Sequence, residues 1–215
     1  MPIPDWNLWL FRNRKIFDLD NVESDTIIGC SRRLQAATCR ALDIRNQQQL
    51  IVRGVRPYVT AWSTPSVGCL KIDVDGARRV VDGVASCGGV IRDSNGTWIA
   101  GFSKFIGRCS ILEAEFWAIF EGLRCAKRFN VSEVVVESDN RDVIDVLFDI
   151  RQRSLYSSLL GTIKAIADDN WCVVYRHACR ESNRVADVIT RLFPLNSFEP
   201  HIFLYPPDEV LVFFT

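Results

Sequence analysis

The chain has 215 residues, 48% of them hydrophobic, and no formal net charge at pH 7. That is material for one good core and little beyond one domain with appendages. Divided at residue 68, it carries 9 Lys and Arg against 6 Asp and Glu before the division and 17 against 20 after it. A mildly acidic body excludes a protein that holds nucleic acid by fixed positive charge alone, although divalent cations in an acidic site would reverse the local sign.

Residues 1–60 read as an N-terminal appendage. Its aromatic, basic start is WNLWLFRNRKIF, and the apolar stretch Trp6 to Phe11 is broken at once by Arg12, Arg14 and Lys15, too short for a signal sequence or a membrane span. The expectation is an intracellular protein of cytoplasm or nucleus, unsecreted and without a membrane partner. The spacing predicts a helix near residues 31–50, with no self-contained core around it. Residues 61–68, AWSTPSVG, read as a linker. The eight cysteines include no CxxC and no paired metal-ligand spacing. They read as buried small hydrophobes of a reducing compartment rather than zinc ligands or disulfide partners.

From Cys69 the pattern becomes regular. Leu70, Ile72 and Val74 alternate with Lys71, Asp73 and Asp75, which predicts a strand with two carboxylates on one face. GGVIRDSNGTWIAGFSKF reads as a hairpin turned by Asn95-Gly96, both at positive backbone angles. Residues 110–129 carry Leu112, Phe116, Ile119, Phe120 and Leu123 at helical spacing, with Ser110 as N-cap. Val134 to Val136 form the short apolar run of a central strand, ending at Ser138-Asp139. Helices near 140–150 and 155–168, a strand at 171–176 and a helix at 182–193 follow. The tail LYPPDEVLVFFT reads as an extended segment packed on the body rather than a helix. The domain thus runs over 69–194 and the tail over 195–215. The fold class is α/β, a five-stranded mixed sheet in order 3-2-1-4-5 with helices on both faces, strand four parallel to strand one.

Four carboxylates fall where this order lets them converge: Asp75, Glu115, Asp139 and Asp187. Two Mg²⁺ ions about 3.5–4 Å apart need such hard oxygens, and would make their mutual repulsion tolerable. Glu115 carries most information, because Ile111, Leu112, Ala118 and Ile119 around it are all apolar and an unpaired charge there is costly. Glu113 and Glu121 have more polar surroundings and read as solvated. On local grounds Asp139 serves equally as the N-cap of the next helix, Asp75 as a turn residue before Gly76, and Asp187 as a solvated helix residue.

The stretches KIDVDGA, GGVIRD, LEAEFWAI, VVVESD and HACRESNRVAD, in that order, resemble the ribonuclease H-like domain of plant non-LTR retrotransposons and their host-encoded relatives, a branch of type 1 ribonuclease H. The resemblance covers residues 61–194, and weakly the aromatic start. It implies that Asp75, Glu115, Asp139 and Asp187 bind two Mg²⁺ ions, or Mn²⁺, and that Asp75 is preferred to Asp73 because Gly-Ala follows it. It implies a loop role in proton transfer or product departure for His177, which otherwise reads as structural. Asn183, otherwise an N-cap, and Gly76, which would let the backbone approach the sugar edge of RNA, become nucleic-acid contacts. The implied activity is cleavage of the RNA strand of an RNA–DNA hybrid; the rival is a catalytically silent module that kept the fold to bind nucleic acid or protein. Few basic residues lie between Asp139 and Trp171, so the basic handle of some ribonucleases H is missing, and a monomer that depends on another domain for substrate affinity is expected. No reverse-transcriptase motif precedes residue 61, which suggests a fragment or domesticated relic of a larger polyprotein.

Overall fold

The computed structural model describes residues 62–148, 157–168, 171–194 and 197–214. The expectations for residues 1–60, the helix near 31–50 included, lie outside the described residues. The elements in chain order are β1 (Cys69–Arg78), β2 (Val84–Arg92), β3 (Trp98–Arg108), α1 (Ile111–Lys127), β4 (Glu133–Ser138), α2 (Arg141–Phe148), α3 (Ser157–Asp168), β5 (Cys172–His177), α4 (Arg184–Ile189) and β6 (His201–Phe203). A short 3-10 turn over Arg180–Ser182 precedes α4, and a 3-10 helix over Asp208–Phe213 follows β6.

Among the described residues the sheet has six strands in order β5-β4-β1-β2-β3-β6. The five expected strands keep the expected order, with β1, β2 and β3 antiparallel and β4 and β5 parallel to β1. The sixth comes from the tail. His201–Phe203 pairs antiparallel with Gly101–Ser103 of β3, and three residues are too few for an alternating pattern to announce a strand. The rest of the tail forms a 3-10 helix instead of the expected extended segment, because Val210 buries itself against Val90, Trp98, Val185 and Ile189.

One face of the sheet, face A, carries the main core. Ile72, Val74, Ile91, Phe102, Val134 and Val136 meet Phe116, Ile119 and Leu123 of α1, Val143 and Leu147 of α2, and Leu160 and Ile163 of α3. The helix α1 starts on a full capping box: the Ser110 hydroxyl accepts from the Glu113 N–H, and the Glu113 carboxylate accepts from the Ser110 N–H. On the other face, face B, α4 packs over β1 and β2. Among the described residues no helix is long and apolar enough to cross a membrane.

One local expectation is corrected. The β2–β3 turn is organised by Asp93, whose carboxylate accepts from the N–H groups of Asn95 and Thr97. Only Gly96 takes a positive φ, +77°, so the connection is a five-residue Asx-anchored loop rather than a two-residue turn with both angles positive. Trp62 lies on face B, its ring 3.6 Å from the Arg92 guanidinium and its indole N–H donating to both Asp73 oxygens, at 2.9 and 3.2 Å.

Candidate active site

The pleat sends Lys71, Asp73 and Asp75 of β1 to face B, and the parallel register sets Asp73 beside Glu137 of β4. Asp139 follows directly on the end of β4, next to Asp75 rather than Asp73. From the opposite face, α1 delivers Glu115 over the end of β1. One carboxylate oxygen from each of Asp75, Glu115 and Asp139 lies within 4.8 Å of the other two. Asp75 is 7% and Glu115 4% exposed, while Asp139 is half-buried.

Gly76 sets the closeness of this meeting. A Cβ there would fall 2.4 Å from the backbone nitrogen of Glu115 and 2.8 Å from its Cα, so only glycine lets α1 lie directly against the strand. The glycine requirement thus arises from helix packing, and the substrate-approach reading is not needed to explain it.

Burial and the shared site disfavour the charged forms. Desolvation, then the neighbouring Asp139 and Asp187, push Asp75 up to about 7, against lowering contributions from the Thr190 hydroxyl and Arg191. Desolvation, then Asp75 and Asp139, push Glu115 up to about 9. The Ser138 hydroxyl donates to Glu115 Oε2 at 3.2 Å and is itself held by the Asn140 N–H at 3.0 Å. Asn140 also caps α2, its Oδ1 accepting from the Val143 N–H at 3.3 Å. Asp139 is therefore not needed as the cap, which was the local alternative to a ligand role.

The other expected residues stand around this trio in different ways. Asp187, on α4, is close enough to raise Asp75, yet it lies outside the cluster of three, and its Oδ1 accepts from Arg191 at 2.6 Å. His177 is the last residue of β5 rather than part of a loop. Its Nε2 lies 3.2 Å from the Asp139 carbonyl and its Nδ1 3.4 Å from Arg141 Nη2. Asn183 is 1% exposed. Its amide donates to the Val74 carbonyl at 2.9 Å without capping α4, and its buried Oδ1 has no partner. It pins α4 to β1 from the interior.

Sequence reasoning missed Glu121. It is 3% exposed rather than solvated, because Lys104 of β3 and Arg124 neutralise it. The signal was non-local, since Lys104 lies on another element.

The carboxylate trio at the joint of β1, β4 and α1, on this sheet order, defines a ribonuclease H-like domain. The chain belongs to the family described as reverse transcriptase-like, which matches residues 73–192. It is 37% identical over 150 residues to an Arabidopsis thaliana protein provisionally named a ribonuclease H protein, a match over 69% of this chain and 24% of that one. The chain thus spans about a quarter of that relative's length. Among solved structures, the N-terminal ribonuclease H domain of a Mycobacterium tuberculosis protein is 25% identical with a TM-score of 0.53, covering 58% of this chain and 91% of that one. The ribonuclease H1 of the archaeon Halobacterium salinarum, 23% identical with a TM-score of 0.51 over 56% and 93% of the two chains, has the same fold. So does the LC11 ribonuclease H1, solved in complex with an RNA/DNA hybrid: 24% identity, TM-score 0.52, 56% and 92% covered.

Proposed function

We propose that this domain is a metal-dependent endonuclease that hydrolyses the RNA strand of RNA–DNA hybrids. The observation that carries the reading is the trio itself: Asp75, Glu115 and Asp139 with oxygens within 4.8 Å of one another, Asp75 and Glu115 held above the usual carboxylate range. Like charges brought so close in a buried place need an external counter-charge, and hard carboxylate oxygens suit Mg²⁺ or Mn²⁺. Asp75, Glu115 and Asp139 would hold the metal, with Asp187 as a further ligand beside Asp75. Two bound ions would activate water and stabilise the leaving oxygen of a phosphodiester.

The chain's own residues have separable tasks. Glu115 is fixed by the Ser138 hydroxyl, and Asp139 is presented by the turn that Asn140 caps. His177 stands beside Asp139 with both nitrogens near partners, placed to pass a proton to or from the departing product. The LC11 enzyme's hybrid complex and the Arabidopsis relative support the substrate class. The acidic body favours a monomer that relies on another domain for affinity.

The rival is a silent module that kept the fold. Incubating the purified chain with labelled hybrid and Mg²⁺ or Mn²⁺, beside Asp139→Asn, decides between them. Cleavage by the wild type alone is expected. Binding should weaken with a shallow salt slope, because each phosphate neutralised adds about 0.9 to it and few cations are on offer. Tight binding at high salt without cleavage under either metal would establish the silent module.

A further inference from the structure

The helix that carries Asp187 is too short to place itself. α4 has six residues, Arg184–Ile189, and no side chain caps its start, so its position rests on what holds it to the sheet. A side chain at each end ties it to the backbone of β1. Before the helix, the Asn183 amide donates to the Val74 carbonyl at 2.9 Å; after it, the Thr190 hydroxyl donates to the Asp75 carbonyl at 3.1 Å. The same hydroxyl lies 2.8 Å from the Ala186 carbonyl one turn back, so a single shared proton ties the last turn of α4 to the strand.

Thr190 reaches this position because β2 has no side chain in the way. Gly88 is the cross-strand partner of Asp75, and a Cβ on it would fall 2.7 Å from the Thr190 Cα and 2.9 Å from its Oγ1. Thr190 is fully buried there. The domain thus has a second glycine seat beside the carboxylates: Gly76 admits the helix that brings Glu115, and Gly88 the helix that brings Asp187. Asp187 stands three residues before Thr190, on the same side of α4, and near enough for its charge to act on Asp75. Its partly exposed ion pair with Arg191 is of the weak kind that a metal ion can displace.

We propose that Thr190 is a positioning residue of the site: seated at Gly88 and bonded to the Asp75 carbonyl, it sets the distance from Asp187 to Asp75 and thereby makes Asp187 a metal ligand. This inference rests on the metal-dependent reading of the carboxylates given above. Thr190 has no reactive part in it. Its hydroxyl is engaged by backbone carbonyls, and what it contributes is the placement of a short helix.

Calorimetric titration of the purified full chain with Mn²⁺, without substrate, tests it. Thr190→Val keeps the shape and removes the hydroxyl, and should weaken Mn²⁺ binding about tenfold, the low end for a group that orients a ligand. Thr190→Ser, which keeps the hydroxyl, should restore most of the affinity. Asp187→Asn should weaken binding at least as much, and adding Thr190→Val to it should change nothing further, since both then act through one carboxylate. The hydroxyl also acts on the Asp75 carboxyl. A loss from Thr190→Val that persists in the Asp187→Asn background would assign the effect to Asp75 and overturn the proposal. Wild-type affinity in Asp187→Asn would overturn it too, by leaving Thr190 no ligand to place. If Thr190→Val does not fold, Thr190→Ala takes its place under the same outcomes. A wild-type chain that takes up no Mn²⁺ overturns the metal-dependent reading and this inference with it. Binding by the wild type that is equalled by Thr190→Val overturns this inference alone.

Discussion

Asp73 and Asp75 stand two residues apart on one strand and one face, and the protein treats them in opposite ways. Asp73 is 1% exposed and fully answered: Arg92 meets it at 2.6 Å, the Trp62 indole donates to it, and one strand over Lys71 meets Glu137 at 2.7 Å. Asp75 receives the Thr190 hydroxyl and distant help from Arg191, but its near neighbours are other acids. On the proposed function, the pair shows how a structural carboxylate differs from a candidate metal ligand. A buried acid matched by the protein's own cations is finished, whereas a group of acids left to one another is waiting for a cation from outside.

The contrast breaks most visibly at Asp139. Asp139→Asn keeps the shape and removes one ligand charge, so cleavage of labelled hybrid should fall by several orders of magnitude with the melting curve intact. Comparable cleavage by both proteins would remove the trio from the chemistry.

On the other side of the comparison, Arg92→Ala leaves Asp73 buried without its guanidinium. Removing one partner of a buried ion pair costs about 3–5 kcal/mol, and urea unfolding should register a loss of that size. A change near zero would mean that Asp73 is not held as a charge at all.

His177→Ala leaves the carboxylates in place, so metal binding by calorimetry should persist while the rate falls roughly 10²-fold, the low end for a positioned proton-transfer group. Loss of metal binding in this variant would move His177 into the ligand set.

The mildest test varies pH without metal. Asp75 and Glu115 titrate near 7 and 9 in the folded chain against 3.8 and 4.5 ordinarily. Between those limits the native state binds more protons than the unfolded one, so this contribution to stability is complete below about pH 4 and is lost as pH rises through 7 and then 9. Mg²⁺ should take over the role of the protons. It should raise the melting temperature by several degrees near pH 8.5 and hardly at pH 5, where about 1 kcal/mol corresponds to roughly 2–4 °C in a domain of this size. An equal rise at both pH values would sever the link between raised carboxyls and metal.

Much of the frame was legible because it rests on local periodicity. Alternation in β1, the apolar run of β4 and the helical spacing of α1 gave the strand order, and the apolar neighbours of Glu115 marked a carboxylate in a costly place. What stayed hidden depended on partners far off in the chain. Glu121 looked solvated because Lys104 belongs to another element. Trp62 sat in a stretch of Pro, Gly and hydroxyl residues that carries no pattern for stacking on Arg92. Asn140 took the cap that Asp139 could equally have supplied, and β6 was too short to show a period. The bond from Asn183 to the Val74 carbonyl was hidden too, because a single asparagine before a helix reads the same whether it caps that helix or reaches a distant strand.

Gly76 has a bearing on how relatives of this chain should be sorted. Since a single methyl there would collide with the backbone of Glu115, a descendant could keep every acidic position and still lose the site by acquiring alanine at 76, the helix displaced and its carboxylate carried out of reach of the other two. A census of acids alone would score such a chain as competent. Surveys of relatives should therefore count the missing side chain at 76 as strictly as the acids around it.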